Sequence, residues 1–301
     1  MAKLEKVKGQ NRFRRSVPQL FVILAAACAI ALTVLICVLD PARRTFPGVL
    51  WLLLILPGLF LGFCALPYIL TFLVSLFLPK REPKKEHPFL RAVAIRVVEE
   101  TILFGRIRVR FEGLEKLDPD SQYLFVSNHT SMFDPMVGMV YLAHFKPVYV
   151  TKPSNMKIPL GGPFMYQMRY QGIDRENPRN ALKTLNHCTE LAQDPKQRYS
   201  IGIYPEGTRS KTGALLPFHE GVFIVARNAS LPIAVLSVQG LRPLTKNFPR
   251  HRTEVTLRVC DVIPADRVAG SHTREISAEV RSILLKEPFL AEHTPAENGD
   301  A

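Results

Sequence analysis

The residues best placed to do chemistry are Asn128-His129-Thr130-Ser131-Met132-Phe133-Asp134-Pro135, which directly follow the apolar run at 123–126. On a single helix, side chains five apart point about 140° away from each other, so His129 and Asp134 would not share a face. They need not lie on one helix. Asp134 before Pro135 reads as a helix start, with aspartate at the N-cap and proline at the first helical position. His129 then belongs to the strand-to-helix loop, from which its ring folds back onto the carboxylate. A carboxylate so placed selects one imidazole tautomer and stabilises the imidazolium formed when the other nitrogen takes a proton. No serine or cysteine nucleophile in a matching context accompanies the pair, which leaves a general base acting on a substrate hydroxyl. A His-x4-Asp match is weak taken alone, since a capping aspartate and an unrelated loop histidine look the same.

A second block, Pro205-Glu206-Gly207-Thr208-Arg209-Ser210, follows the apolar run at 200–204. Gly207 permits a tight turn, and backbone amides, Thr208 and the Arg209 fork can close around a phosphate. An ordinary polar turn reads identically. Between the blocks, Lys152 precedes a loop with Pro159, Gly161 and Gly162, and Ile173-Asp174-Arg175 ends a further apolar stretch.

The rest of the chain must position these groups. Its 301 residues accommodate one α/β domain and an anchor, and a net charge of +13 points to anionic partners. Those are nucleic acid, an acidic membrane surface or phosphorylated substrates. No nucleic-acid-binding signature is present, so nucleic acid is the weakest of the three. Cys28, Cys37 and Cys64 lie in apolar runs, and Cys188 and Cys260 lack the spacing of a zinc site. The reading is no disulfide, no metal and a reducing compartment.

Val17 to Leu39 carries no charge until Asp40 and is long enough to span a hydrocarbon core. A second run, Gly48 to Leu78, contains Pro57 and Pro67, which allows a kinked span or a span followed by an interfacial segment. Lys3, Lys6, Lys8, Arg12, Arg14 and Arg15 precede the first run, and Lys80, Arg81, Lys84 and Lys85 follow the second. Positive flanks favour the cytosolic side, so both ends are expected there, although Arg43 and Arg44 at the tip pull the other way. A hairpin dipping into one leaflet fits the same sequence.

The expected organisation is a basic segment (1–16), a membrane-anchoring hairpin (17–78), a linker with an amphipathic interfacial helix (79–106), an α/β domain (107–287) and a disordered tail (288–301). Strands are expected at 107–113, 123–126, 147–151, 200–204, 234–238 and 254–259. Helices are expected at 135–144, 163–170, 181–193, 218–228 and 273–286. That alternation predicts an α/β fold with a mostly parallel sheet flanked by helices.

The order of the blocks resembles the glycerophospholipid acyltransferase family, whose members make phosphatidic acid from lysophosphatidic acid. The family's NHxxxxD block matches Asn128, His129 and Asp134. Its lysine-proline-glycine stretch matches Lys152, Pro159 and Gly162, its I-D-R matches Ile173, Asp174 and Arg175, and its F-P-E-G-T-R-S block matches Tyr204 to Ser210. Its late V-P-I matches Leu231, Pro232 and Ile233. Departures are Ser154 where glutamate is usual, Tyr204 for phenylalanine, and His219 for a lysine. The resemblance implies His129 and Asp134 as the catalytic pair. It implies Arg175, Glu206, Gly207, Thr208 and Arg209 as the glycerol-phosphate site, lined by Lys152. It further implies acyl-CoA or acyl-carrier protein as co-substrate with no other cofactor, and a phospholipid membrane as partner. Rival readings are another lysophospholipid or lyso-amino-lipid acceptor, or a catalytically dead anionic-lipid-binding scaffold.

Overall fold

The computed structural model describes residues 2–40 and 46–294, with side chains for 19–40 and 54–294. The tip arginines Arg43 and Arg44 and the stretch 295–301 lie outside the described residues. Two long helices open the chain, α1 (Ala2–Leu39) and α2 (Phe46–Phe77), and they pack on each other. Within them, Gln19–Leu39 and Leu54–Phe77 are long and apolar enough to cross a membrane. Leu61 and Phe77 are 65% and 86% exposed, an apolar surface that a water-facing helix would not carry. α1 runs unbroken through the basic segment, and α2 passes Pro57 and Pro67 as one helix. No separate interfacial piece forms there.

The linker and α3 (Pro88–Phe104) join this pair to the domain. α3 differs from the surface helix expected: it packs on α1 and α2 as well as on the domain, and it buries charge. Arg91 pairs with Glu86 through both nitrogens of its fork and also donates to the Pro147 and Met168 carbonyls (3.2 and 3.4 Å). Arg96 meets Glu99 and Glu100 at 3.2 and 3.3 Å. A helix patterned as amphipathic is thus enclosed, because its charged residues find partners within the protein.

The seven strands are β1 (Ile107–Glu112), β2 (Leu124–Ser127), β3 (Pro147–Thr151), β4 (Gln171–Gly172), β5 (Ser200–Ile203), β6 (Ile233–Gln239) and β7 (Thr253–Ile263). They form one sheet in the order β1-β7-β6-β2-β5-β3-β4. All pairings are parallel except β6 with β7, so the mixed but mostly parallel sheet matches the expected class. β2 and β5 are buried at every position, which is why they read as continuous apolar runs rather than alternating ones. β4, two residues long, has no periodicity to read and went unforeseen.

Helices α4 (Asp134–Tyr141), α5 (Gly161–Gln167), α6 (Pro178–Gln193), α7 (Ile224–Ala229), α8 (Leu244–Asn247), α9 (Ala265–Ala269), α10 (Thr273–Leu285) and α11 (Pro288–His293) connect or follow the strands. The last corrects the expected disordered tail. Pro288 opens a helical turn, and Leu290 is fully buried, so 288–293 is tied to the core.

One contact in the sheet is tight enough to test. Tyr149 of β3 faces Gly202 of β5 across the ladder, and a Cβ on Gly202 would lie 2.5 Å from the tyrosine ring. Gly202→Ala is expected to lower stability by about 1–3 kcal/mol, read as a drop in Tm in detergent. Shrinking the partner in Gly202→Ala/Tyr149→Leu should recover part of it.

Candidate active site

β2 and β5 are parallel neighbours in register, with Phe125 opposite Gly202 and Val126 opposite Ile203. The segments that leave their C-terminal ends therefore emerge side by side at one edge of the sheet, where open α/β folds place their ligand sites. That adjacency brings together two blocks more than seventy residues apart in sequence.

His129 Nδ1 lies 2.9 Å from Asp134 Oδ2. An ionised carboxylate only accepts, so Nδ1 carries the proton and Nε2 is left with the lone pair. Asp134 is fully buried, whereas the His129 side chain is 16% exposed. The same Oδ2 accepts the Thr130 and Ser131 backbone N–H groups at 2.7 and 2.8 Å. Here the structure corrects the sequence reading. Asp134 is the first residue of α4 and caps nothing, the N-cap being Phe133 with no side-chain bond. Its carboxylate reaches back, away from the helix, because the loop before it folds three donors around one oxygen.

The loop is held from both sides. Asn128 Oδ1 accepts from Val238 N at 2.8 Å and its Nδ2 donates to Val238 O at 3.0 Å, imitating a strand pairing with β6. The His129 ring stacks on Tyr204, centroids 4.4 Å apart at 29°, and Tyr204 in turn lies parallel to Tyr149. Ser210 N donates to His129 O at 2.7 Å. Sequence reasoning missed this bracing by Tyr204, Ser210 and Tyr149. The aromatic at 204 was the one visible sign.

Glu206 has a different place from the phosphate-site role expected of it. It is 4% exposed, and its two oxygens accept from His129 N (2.6 Å) and Leu216 N (3.0 Å). Both of its oxygens are engaged by backbone amides that hold the histidine loop, which leaves this carboxyl group turned away from a substrate. Burial lifts its pKa to about 7, against the pull of those two N–H donors, with the Asp134 charge adding to the rise. The folded state therefore holds a proton that the unfolded chain releases at its ordinary value of 4.5. The stabilisation is full below 4.5 and is lost as pH rises to about 7, on the order of 3 kcal/mol in all. The denaturation midpoint of the wild type relative to Glu206→Gln should decline across that window and be flat above it.

Gly207 has φ +69°, and a Cβ there would meet the His219 ring at 2.8 Å and the Arg175 guanidinium carbon at 3.4 Å. The turn thus brings Gly207, Arg175 and His219 to one place, while Thr208 and Arg209 follow it on the exposed side. Partial desolvation lowers the Arg175 pKa. Among the described residues no carboxylate pairs with Arg175, Arg209 or Lys152. Lys152 sits exposed at the C-terminal end of β3, one strand beyond β5, and makes no hydrogen bond to the His129–Asp134 pair. Gly162 of the intervening stretch packs its Cα against Met156 O, where a Cβ would come within 2.1 Å, a structural rather than chemical reason for glycine.

Residues 108–239 match the model of the family described as Acyltransferase. That stretch carries both blocks and the strands that juxtapose them. Over it the chain is similar to the acyltransferase family. Over 168 residues the chain is 31% identical to a chloroplastic 1-acyl-sn-glycerol-3-phosphate acyltransferase of Arabidopsis thaliana, covering 56% of this chain and 44% of that protein. With a chloroplastic relative of the same description from Brassica napus, identity is 33% over 130 residues, 43% of this chain and 36% of the relative. The chain thus spans less than half the length of these plant relatives. Human 1-acyl-sn-glycerol-3-phosphate acyltransferase alpha is 24% identical over 65% of this chain and 69% of its own length. The crystal structure of the 1-acyl-sn-glycerophosphate acyltransferase of Thermotoga maritima covers 72% of this chain and 88% of its own at TM-score 0.51 and 20% identity, which establishes a shared fold. The His129–Asp134 loop and the Gly207 turn both lie within the matched residues 108–239.

Proposed function

We propose that this protein transfers an acyl group from acyl-CoA or acyl-carrier protein to the sn-2 hydroxyl of 1-acylglycerol-3-phosphate, giving phosphatidic acid at a membrane, with its catalytic domain facing the cytosol. The observation that carries the reading is the buried Asp134 carboxylate 2.9 Å from Nδ1 of a partly exposed His129. Among the described residues no serine or cysteine side chain is hydrogen-bonded to His129, which favours direct transfer over a covalent acyl-enzyme. Nε2 takes the proton of the acceptor hydroxyl as its oxygen attacks the thioester carbonyl. The new C–O bond forms, the C–S bond breaks, and the departing thiolate takes the proton back from the imidazolium, whose charge Asp134 has stabilised meanwhile.

The Gly207 turn with Arg175, Thr208 and Arg209 suits the acceptor's phosphate, for which charge-assisted donors are needed. Glu206 holds the loop. Two apolar helices beside the domain suit an acceptor delivered from a bilayer. Purified protein in detergent should convert labelled acyl-CoA or acyl-carrier protein and lysophosphatidic acid to phosphatidic acid. Turnover confined to lyso-forms of phosphatidylglycerol or of an amino-lipid would move the acceptor assignment. Binding of lysolipid without turnover from either donor would sink the catalytic reading.

A further inference from the structure

The connection between β6 and β7 is firmly built, and it nevertheless presents a phenylalanine to solvent. Leu241 and Leu244 anchor it in the core at 1% and 6% exposure. Phe248 N donates to Leu244 O (3.0 Å), His251 N to Asn247 O (2.7 Å), and Asn247 Nδ2 to Thr253 Oγ1 (3.1 Å). Arg106, just before β1, donates from Nη1 to Pro249 O at 2.9 Å. Phe248 itself is 52% exposed. Lys246, Arg250, His251 and Arg252 surround it in the sequence and are exposed, as are Arg106 and, on the adjoining strand, Arg108. From Leu241 to Thr253 no aspartate or glutamate occurs.

A single exposed apolar side chain means little; here its position gives it meaning. The connection is tied through Arg106 to the C-terminal end of α3, and that end rests on α2. The Phe104 and Tyr68 rings are 6.4 Å apart, and Thr101 Oγ1 is 3.4 Å from Tyr68 Oη. Tyr68 lies inside the apolar stretch Leu54–Phe77, about two and a half turns before its end, about 13 Å by helical rise. The α3 end and the turn bound to it therefore flank the apolar helices at the level of their lipid-like surface, not on the far side of the domain.

We propose that the β6–β7 connection is a second membrane contact, in which Phe248 enters the acyl-chain boundary of an anionic leaflet and Lys246, Arg250, Arg252 and Arg106 engage lipid phosphates. The inference rests on the reading of α1 and α2 as a membrane anchor. An aromatic flanked by cations has the composition of such contacts, the ring entering the acyl boundary and the cations meeting the anionic headgroups. A second contact beside the hairpin fixes the domain's tilt, and with it the side of the sheet turned to the bilayer.

The test uses the full chain in vesicles of phosphatidylglycerol and phosphatidylcholine with brominated acyl chains. Wild type, whose single tryptophan is Trp51, reports on the anchor, and Trp51→Phe/Phe248→Trp reports on the turn. The indole introduced by F248W is expected to shift to the blue and lose about half of its emission to brominated chains. The quenching should weaken when R250E and R252E are added or when phosphatidylglycerol is omitted. Transfer activity in detergent, away from these residues, checks that each variant is folded. Quenching of Trp51 with none at 248 would overturn the second contact and leave the anchor standing. Quenching of neither would overturn both. A blue shift insensitive to brominated lipid would place Phe248 against another copy of the chain and overturn the proposal.

Discussion

Asp134→Asn is expected to lower kcat for acyl transfer by about three to four orders of magnitude while the protein remains folded. The amide oxygen can still accept the Thr130 and Ser131 N–H groups that Asp134 Oδ2 now accepts. The same oxygen faces His129 Nδ1, 2.9 Å away, so an amide oxygen there keeps the ring proton on Nδ1 but carries no full negative charge. The imidazolium formed when Nε2 takes the hydroxyl proton then has no counter-charge to stabilise it. His129→Ala removes the base itself and should cost about 10²–10⁴. Because the two act as one unit, the double variant should be hardly worse than the more damaged single one. Losses that multiply, or a His129→Ala enzyme with an intact rate, would refute the general-base assignment. Asp134→Ala adds a separate effect, since two partly buried loop N–H groups lose their acceptor at about 1 kcal/mol each, and its Tm should fall as that of Asp134→Asn does not.

Arg175→Ala should raise KM for lysophosphatidic acid by about 10- to 100-fold with a smaller effect on kcat, the equivalent of one or two hydrogen bonds to a charged group. Arg175 stands over Gly207 with His219 and has no carboxylate partner among the described residues. A guanidinium partly desolvated without a counter-charge is prepared for an anion that arrives with the substrate. Arg209→Ala should act in the same direction, and Arg175→Lys should restore little, because a point charge replaces a planar fork. The comparison that decides the role is an acceptor lacking the phosphate: it should be indifferent to Arg175→Ala. A KM unchanged for lysophosphatidic acid would take Arg175 out of the acceptor site.

Much of the architecture could be read from residue order because the periodicities are local. β3 runs over Pro147–Thr151 as the apolar run indicated, and α10 over Thr273–Leu285 within a residue of its expected end. The mostly parallel sheet followed from strands alternating with helices. Misreadings arose where local signal was absent or ambiguous. β4 is too short to have a period, and at 218–228 the chain forms a 3₁₀ turn, Glu220–Phe223, before α7 begins. α3 has an amphipathic pattern that fits a membrane surface as well as a packed helix, and only its packing decides between them: Arg91 is buried against Glu86 and the Pro147 and Met168 carbonyls.

The site divides along the same line. Residue types and spacing were enough to bring His129 and Asp134 into hydrogen-bonding reach, since a five-residue loop at a helix start leaves few ways to arrange them. Contacts between segments distant in the chain were not legible: Glu206 holding the His129 amide across 77 residues, Asn128 paired to Val238 across 110, and Tyr204 under the imidazole. Those depend on β5 and β6 both lying beside β2, and sheet order is a property of the whole chain's packing. So the sequence by itself determined the His129–Asp134 pair and the elements that bear it. The tertiary structure alone decided that Glu206 braces the His129 loop, because only the assembled sheet edge shows which groups its oxygens can reach.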